Sequence, residues 1–302
     1  MFTAMQPELL IAILAGLGGM LGWGFSEFAT KGSVDKIGTI SSLVWAHVIG
    51  TVLLFILLFA QLLSTPAAVA FPGDPAEWLG LLFFGALQTA VYYFGYKGFE
   101  KGEVSLLSPI FASFAGLVAL LSVLVFGETL RLILVPALVL IFGGVILINI
   151  DFRNWKARGI RIHTVPGLKE IVIATVLATV WTLGWDTFTG DKNWLVYTTF
   201  MFVFMTITAF LLAHLAKVNL SDVKITAWKF LLLIAVGEVV AYLAITLGYA
   251  NTSYTSVVAI LSGASALPTI LLAQIFFKEK MTIVQVISSL IIVAGIVLLS
   301  IG

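Results

Sequence analysis

Leu21-Gly22-Trp23-Gly24-Phe25-Ser26-Glu27-Phe28-Ala29-Thr30-Lys31 closes the first long apolar run of the chain, and its pattern returns later. Leu183-Gly184-Trp185 repeats Leu21-Gly22-Trp23 at an offset of 162, and Lys192 follows one residue earlier than Lys31 would predict. Each copy ends a hydrophobic segment with a Trp, small or polar residues, and a Lys. Trp23, Glu27 and Lys31 are spaced by four, so on a helix they share one face. One reading is an interfacial anchor, with Trp at the headgroups, Lys snorkelling and Glu27 paired to Lys31. The other makes Trp23, deeper in the helix, a pocket wall.

Composition fixes the broad class. The chain is 61% hydrophobic and 10% charged with a mean hydropathy of +1.13, outside the range of soluble domains. A net charge of +1 argues against bulk nucleic-acid binding. The absence of cysteine excludes disulfides and Cys-bound metal. No Lys or Arg precedes the first apolar run, which reads as a retained transmembrane helix and not a signal peptide.

Apolar runs of bilayer-spanning length fall near residues 9–29, 40–63, 78–96, 104–126, 131–150, 170–189, 195–216, 228–249, 255–277 and 283–301. Pro66, Pro72, Gly73 and Pro75 mark residues 64–77 as a loop. Arg153, Lys156, Arg158 and Arg161 make residues 151–169 a charged mid-chain linker between a first repeat, 1–150, and a second, 170–302. With ten spans, 14 of the 16 Lys and Arg residues fall on one side, which leaves only Arg131 and Lys192 opposite. The positive-inside rule makes the basic side cytoplasmic and places both termini outside.

The halves repeat beyond the opening motif. Phe126-Gly127-Glu128 returns as Phe277-Lys278-Glu279, and Gly143-Gly144-Val145 as Ala294-Gly295-Ile296, both at an offset of 151. Gly95-Tyr96 returns as Gly248-Tyr249. Five spans per half is an odd number, so the second copy is inverted, as in many secondary transporters with a midplane site between repeats. The expected fold is an all-α membrane protein of ten transmembrane helices in two inverted five-helix repeats.

Trp23-Gly24 with Lys31, the run from Gly98 through Glu100, Glu103 and Ser108 to Ile110, and Gly127-Glu128 resemble the EamA domain of the drug/metabolite transporter superfamily. Tyr249-Ala250-Asn251-Thr252-Ser253-Tyr254-Thr255-Ser256, Pro268 and Lys278-Glu279-Lys280 extend the resemblance through the second half. The resemblance implies a ten-helix fold, a central cavity open alternately to each side, and transport of a small metabolite, in most members by export or exchange. Two positions depart from the pattern: Asp186 stands where the first half has Gly24, and Glu238 is not a residue the family demands.

Chemistry nominates the cavity residues. Glu238 falls about 15 Å into its span, where an acid costs on the order of 2.5–3.5 kcal/mol unless it meets water or a partner. Tyr242 shares its face one turn on. Gln88 and Tyr92 are similarly spaced in the third span, and His47 lies within the second. Thr182, Asp186 and Thr189 form one stripe of the sixth span, beside an aromatic stripe of Trp181, Trp185 and Phe188. Convergence of Trp23, Tyr92, Trp185 and Tyr242 on Glu238 would suit a cationic or amphipathic metabolite. Glu238, Glu27 and Asp186 are the candidate coupling or gating groups. No nucleotide-binding, metal or nucleophile motif is visible, so the sequence predicts no enzyme activity, cofactor or metal. Gly18-x-x-x-Gly22, Gly143-Gly144 and Ala294-Gly295 offer smooth surfaces for packing within the subunit or for a homodimer.

Three functions compete. The first is a secondary exporter or exchanger of a small metabolite such as an amino acid, in the inner membrane. The others are a proton-coupled carrier of organic cations and a membrane scaffold without transport.

Overall fold

The computed structural model describes residues 7–126, 134–148, 150–151, 161–162, 165–189, 192–251, 258 and 261–301. Gly127-Glu128, Thr252 to Ser256 and most of the 151–169 linker therefore lie outside the described residues. The first helix, α1 (Pro7–Ser64), has 58 residues and is interrupted only at Gly38, with φ 77° and ψ 168°. At 1.5 Å per residue it would measure about 87 Å, nearly three hydrocarbon thicknesses. The loop expected between the first two spans is thus helical apart from one residue. Residues 30–37 contain no proline to break the ladder, and Lys31 meets Asp35 one turn on at 2.9 Å. Gly38 supplies the turn because its conformation is open essentially to glycine alone.

The next connection contrasts with it. Pro66–Ala68 forms a 3₁₀ turn, and Asp74 then caps α2 (Pro75–Lys101) by accepting from the Ala76 N–H at 2.8 Å. Glu77 closes the capping box by accepting from the Asp74 N–H at 3.4 Å, and also takes the Gly73 N–H at 2.9 Å. The fourth expected span divides into α3 (Val104–Ala112) and α4 (Phe114–Phe126). Pro109 has no N–H to offer the Ser105 carbonyl, and the Ser113 hydroxyl takes up the Ile110 carbonyl at 2.5 Å. After α5 (Leu134–Ile148), Ile150–Asp151 pairs antiparallel with Arg161–Ile162 across the linker. The second half supplies α6 (Leu168–Thr189), α7 (Trp194–Leu215), α8 (Ile225–Asn251), α9 (Ala266–Leu272) with a π turn at Ala273–Phe277, and α10 (Ile283–Ile301).

α1, α2, α6, α7 and α8 are each long and apolar enough to cross a membrane, and shorter apolar helices cover 104–118, 135–147, 261–277 and 283–298. Large apolar side chains such as Leu14, Phe59, Leu79, Val139, Leu211 and Ile287 face outward. A soluble protein would bury them, whereas a multi-pass membrane protein turns them to lipid.

Small residues bring the helices together. On the first arm of α1, a Cβ at Gly18 would lie 2.6 Å from Ala244, and one at Gly237 would lie 2.6 Å from the Gly22 carbonyl. α1 and α8 therefore touch backbone to backbone, and the Gly18-Gly22 surface serves packing inside the subunit. α6 meets α2 through side chains seated on glycines, Phe84 on Gly184 and Ile171 on Gly98. The second arm of α1 meets α7, where the Thr51 and Thr206 hydroxyls bond at 3.0 Å. α5 meets α10 through Gly144 on Ile292 and Gly295 on Ile141, and α3 meets α9. Exchanging the halves maps these pairings onto themselves, so the packing carries the two-fold pattern of the sequence.

Candidate functional site

Glu238 stands at the midpoint of α8 and has no solvent exposure. Its Oε1 accepts from the Ser26 hydroxyl on the first arm of α1 and from the Tyr96 hydroxyl on α2, each at 3.4 Å. Its Oε2 faces Nε2 of His47, on the second arm of α1, at 3.8 Å. That separation exceeds a hydrogen bond. Both facing atoms are buried and without a hydrogen-bond partner. His47 Nδ1 lies 2.7 Å from the Leu43 carbonyl, which can only accept, so Nδ1 holds a proton.

An aromatic wall adjoins this pair. Tyr92 meets His47 edge-on at 4.9 Å, and Trp23 meets Tyr242 in the same manner at 4.9 Å. Gln88 Nε2 donates to the Tyr242 hydroxyl at 3.5 Å. Gln88 Oε1 is a third buried acceptor without a partner. Trp23, Tyr92 and Tyr242 are half-buried, while Glu238, His47 and Gln88 are buried behind them. Helix spacing explains the wall: Gln88, Tyr92 and Tyr96 form one stripe of α2, and Glu238 and Tyr242 form one stripe of α8.

The other nominated residues separate from this cluster. Trp185 stacks on Trp181 at 5.4 Å and meets Phe84 at 5.6 Å, and no ring contact among the described residues joins it to Trp23 or Tyr242. The Asp186 side chain lies outside the described residues. Glu27 does not pair with Lys31, which is bonded to Asp35. Glu27 Oε2 instead accepts from the Ser108 hydroxyl of α3 and, at 3.2 Å, from the Thr269 hydroxyl of α9. The anchor pairing fails because Glu27 points inward between two helices while Lys31 reaches the half-exposed Asp35.

Sequence reading missed three contributors. Ser26 sits inside the opening motif, and Tyr96 is one turn past Tyr92, so their spacing with Glu27 and Tyr92 was the available signal. Glu279 stood out only as part of the repeat and of the family motif, and nothing local to it announces its partners, which come from the other half. Its carboxylate accepts from the Val104 N–H at 3.1 Å, the Ser105 N–H at 2.9 Å and the Ser105 hydroxyl at 2.5 Å. It thereby caps α3 across the repeat boundary. Lys278, left-handed at φ 57°, aims Glu279 there at a cost of roughly 1–2 kcal/mol for a non-glycine residue. Beside this cap, burial and the Glu279 charge hold the Glu103 carboxyl above its usual range, and Lys31 opposes them.

The model of the EamA-like transporter family matches the chain twice, over residues 10–150 and 166–301. No curated protein matches. A solved structure titled "Crystal structure of protein" aligns with a TM-score of 0.59 at 16% identity, covering 96% of each chain, and so shares the fold.

Proposed function

The chain belongs to the EamA-like transporter family, and from that premise we propose a secondary-active, alternating-access transporter that exports or exchanges a small metabolite, an amino acid or a similar compound. The observation that carries this reading is the buried Glu238–His47 pair, drawn from both halves at mid-helix and walled by half-buried aromatics. An acid at that depth in a membrane helix is costly unless a substrate or ion path uses it. The paired helix contacts support ten spans in two inverted repeats, 1–150 and 170–302, joined by a 151–169 linker. The basic loops support a cytoplasmic linker and external termini in the inner membrane.

Counterflow in proteoliposomes over a panel of amino acids, amines and neutral metabolites tests the function. The cysteine-free chain allows Thr3→Cys and Ala157→Cys to report orientation by impermeant maleimide. We expect counterflow of at least one compound, and labelling in intact cells at Thr3→Cys alone. No counterflow by any compound would remove the transport reading, and labelling of Ala157→Cys alone would invert the topology.

A further inference from the structure

We propose that His47 and Glu238 form a one-charge site whose occupant is either a proton or a primary ammonium group of the transported compound. The inference rests on the transport reading above and narrows its substrate.

The argument begins with proton placement. Nδ1 of His47 is committed to the Leu43 carbonyl at 2.7 Å, so Nε2 is the titrating atom. It faces Glu238 Oε2 at 3.8 Å, and neither atom has a partner. A neutral imidazole and an ionised carboxylate present two bare acceptors and one negative charge. Adding a proton gives either the acid or an imidazolium–carboxylate pair, and both are neutral. A bound ammonium group neutralises the pair equally. Proton and ammonium together would leave a net positive charge buried, which is unfavourable. The two occupants therefore exclude each other.

Among the described residues, the surroundings supply no competing cation. The first arm of α1 presents Ser26 and Thr30 to this region, α2 presents Tyr92 and Tyr96, α7 presents Phe202, and α8 itself presents Tyr242. Glu27 is turned to Ser108 and Thr269. No Lys or Arg among the described residues is bonded to either member of the pair.

The donor requirement follows from the bare atoms. An aromatic wall alone accepts any cation, including a quaternary one. Nε2 and Oε2 instead need N–H donors, because a buried acceptor left unmade weakens binding. Gln88 Oε1, whose amide Nε2 donates to the Tyr242 hydroxyl one turn along α8 from Glu238, is a further bare acceptor on the same wall. One ammonium leaving for each proton entering makes the exchange electroneutral.

Full-length protein in nanodiscs, titrated calorimetrically with 2-phenylethylammonium, its N,N,N-trimethyl analogue and 2-phenylethanol, tests the site. Buffers of different ionisation heat count the protons exchanged. At pH 6 the primary ammonium should release about one proton on binding, and its affinity should rise about tenfold per pH unit until the pair is deprotonated. The trimethyl analogue and the alcohol should bind at least tenfold more weakly. Glu238→Gln should fold with the wild-type melting temperature and lose both the proton release and at least tenfold in affinity. His47→Asn places an amide N–H near the Leu43 carbonyl while removing Nε2, and should keep the proton release, because Glu238 still titrates, while losing about tenfold in affinity for the primary ammonium. Equal binding of the trimethyl analogue, absence of proton release, or no binding of 2-phenylethylammonium would each overturn the inference. If counterflow then finds an uncharged substrate, transport stands and only the ammonium site falls.

Discussion

Trp23 meets Tyr242 of α8 edge-on at 4.9 Å, and Trp185 meets Phe84 of α2 edge-on at 5.6 Å. One turn before Tyr242 stands Glu238. One turn before Phe84 stands Gly80, with the Phe188 ring lying against it. At the junction of the halves Thr51 bonds Thr206, and one turn earlier His47 faces Phe202 with rings 5.8 Å apart. The two Leu-Gly-Trp motifs thus meet the facing helix differently, with titratable groups beside one and aromatic carbon beside the other. Duplication makes the frame, and a few substitutions make the chemistry. A second buried acid in the copy held by Phe188 would have no Ser26, Tyr96 or His47 to face it.

The largest effect should come from exchanging charge for shape in one copy and shape for shape in the other. Glu238→Gln keeps the volume and the hydroxyl bonds but cannot hold a negative charge. Initial transport rates in proteoliposomes should fall at least about 100-fold, equivalent to about 2.7 kcal/mol. Phe188→Leu alters only apolar packing and should leave the rate within about threefold while lowering stability by about 1 kcal/mol. Comparable losses in both variants would show that the second copy also carries transport chemistry.

A smaller effect separates the two Leu-Gly-Trp motifs by what their glycines touch. A Cβ on Gly22 would lie 2.5 Å from the Gly237 carbonyl oxygen and 2.9 Å from the Ala241 Cβ. Neither can retreat unless α8 moves, and α8 carries Glu238. A Cβ on Gly184 would lie 2.8 Å from the far edge of the Phe84 ring, which can tilt. Gly22→Ala should therefore cost about 2–3 kcal/mol in reversible unfolding in detergent, and Gly184→Ala about 1 kcal/mol or less. Equal costs would mean that the contact of α1 with α8 is no tighter than that of α6 with α2.

Local features of the sequence read through to the structure where a residue's neighbours were also its sequence neighbours. The loop at Pro66 to Pro75, the α2 stripe of Gln88 and Tyr92, and the depth of Glu238 were legible because helical period and breakers act locally. The first connection was misread because polar residues such as Lys31 and Asp35 suggest a loop, yet they pair one turn apart on a continuing helix. Glu27 was misread for the opposite reason. Its nearest cation in sequence is Lys31, but its actual donors, Ser108 and Thr269, come from distant segments. The Glu238–His47 pair joins residues from different halves, and no period in either helix announces it. Repeat offsets revealed the frame, but they could not show that Phe202 stands where the first half has His47.

The smallest effect tests whether the two tryptophans are equivalent. Trp23 touches Tyr242, whose hydroxyl accepts from Gln88 one turn from Glu238. Trp185 instead lies flat against Trp181 and leads away toward Phe84 and Phe188. Phenylalanine keeps an aromatic face at either position but offers a cation a weaker one, a loss of about 0.5–1 kcal/mol. Trp23→Phe should accordingly raise the KM for a transported cation about two- to fivefold with little change in kcat, because the wall meets the substrate in the ground state as well as in the step that follows. Trp185→Phe should change KM less than twofold. The double variant should show the product of the two effects, since the rings share no contact through which to couple. If Trp185→Phe raised KM as much as Trp23→Phe, the substrate would reach both copies of the frame. The occupied site would then lie on the axis between the halves and not against Glu238 alone.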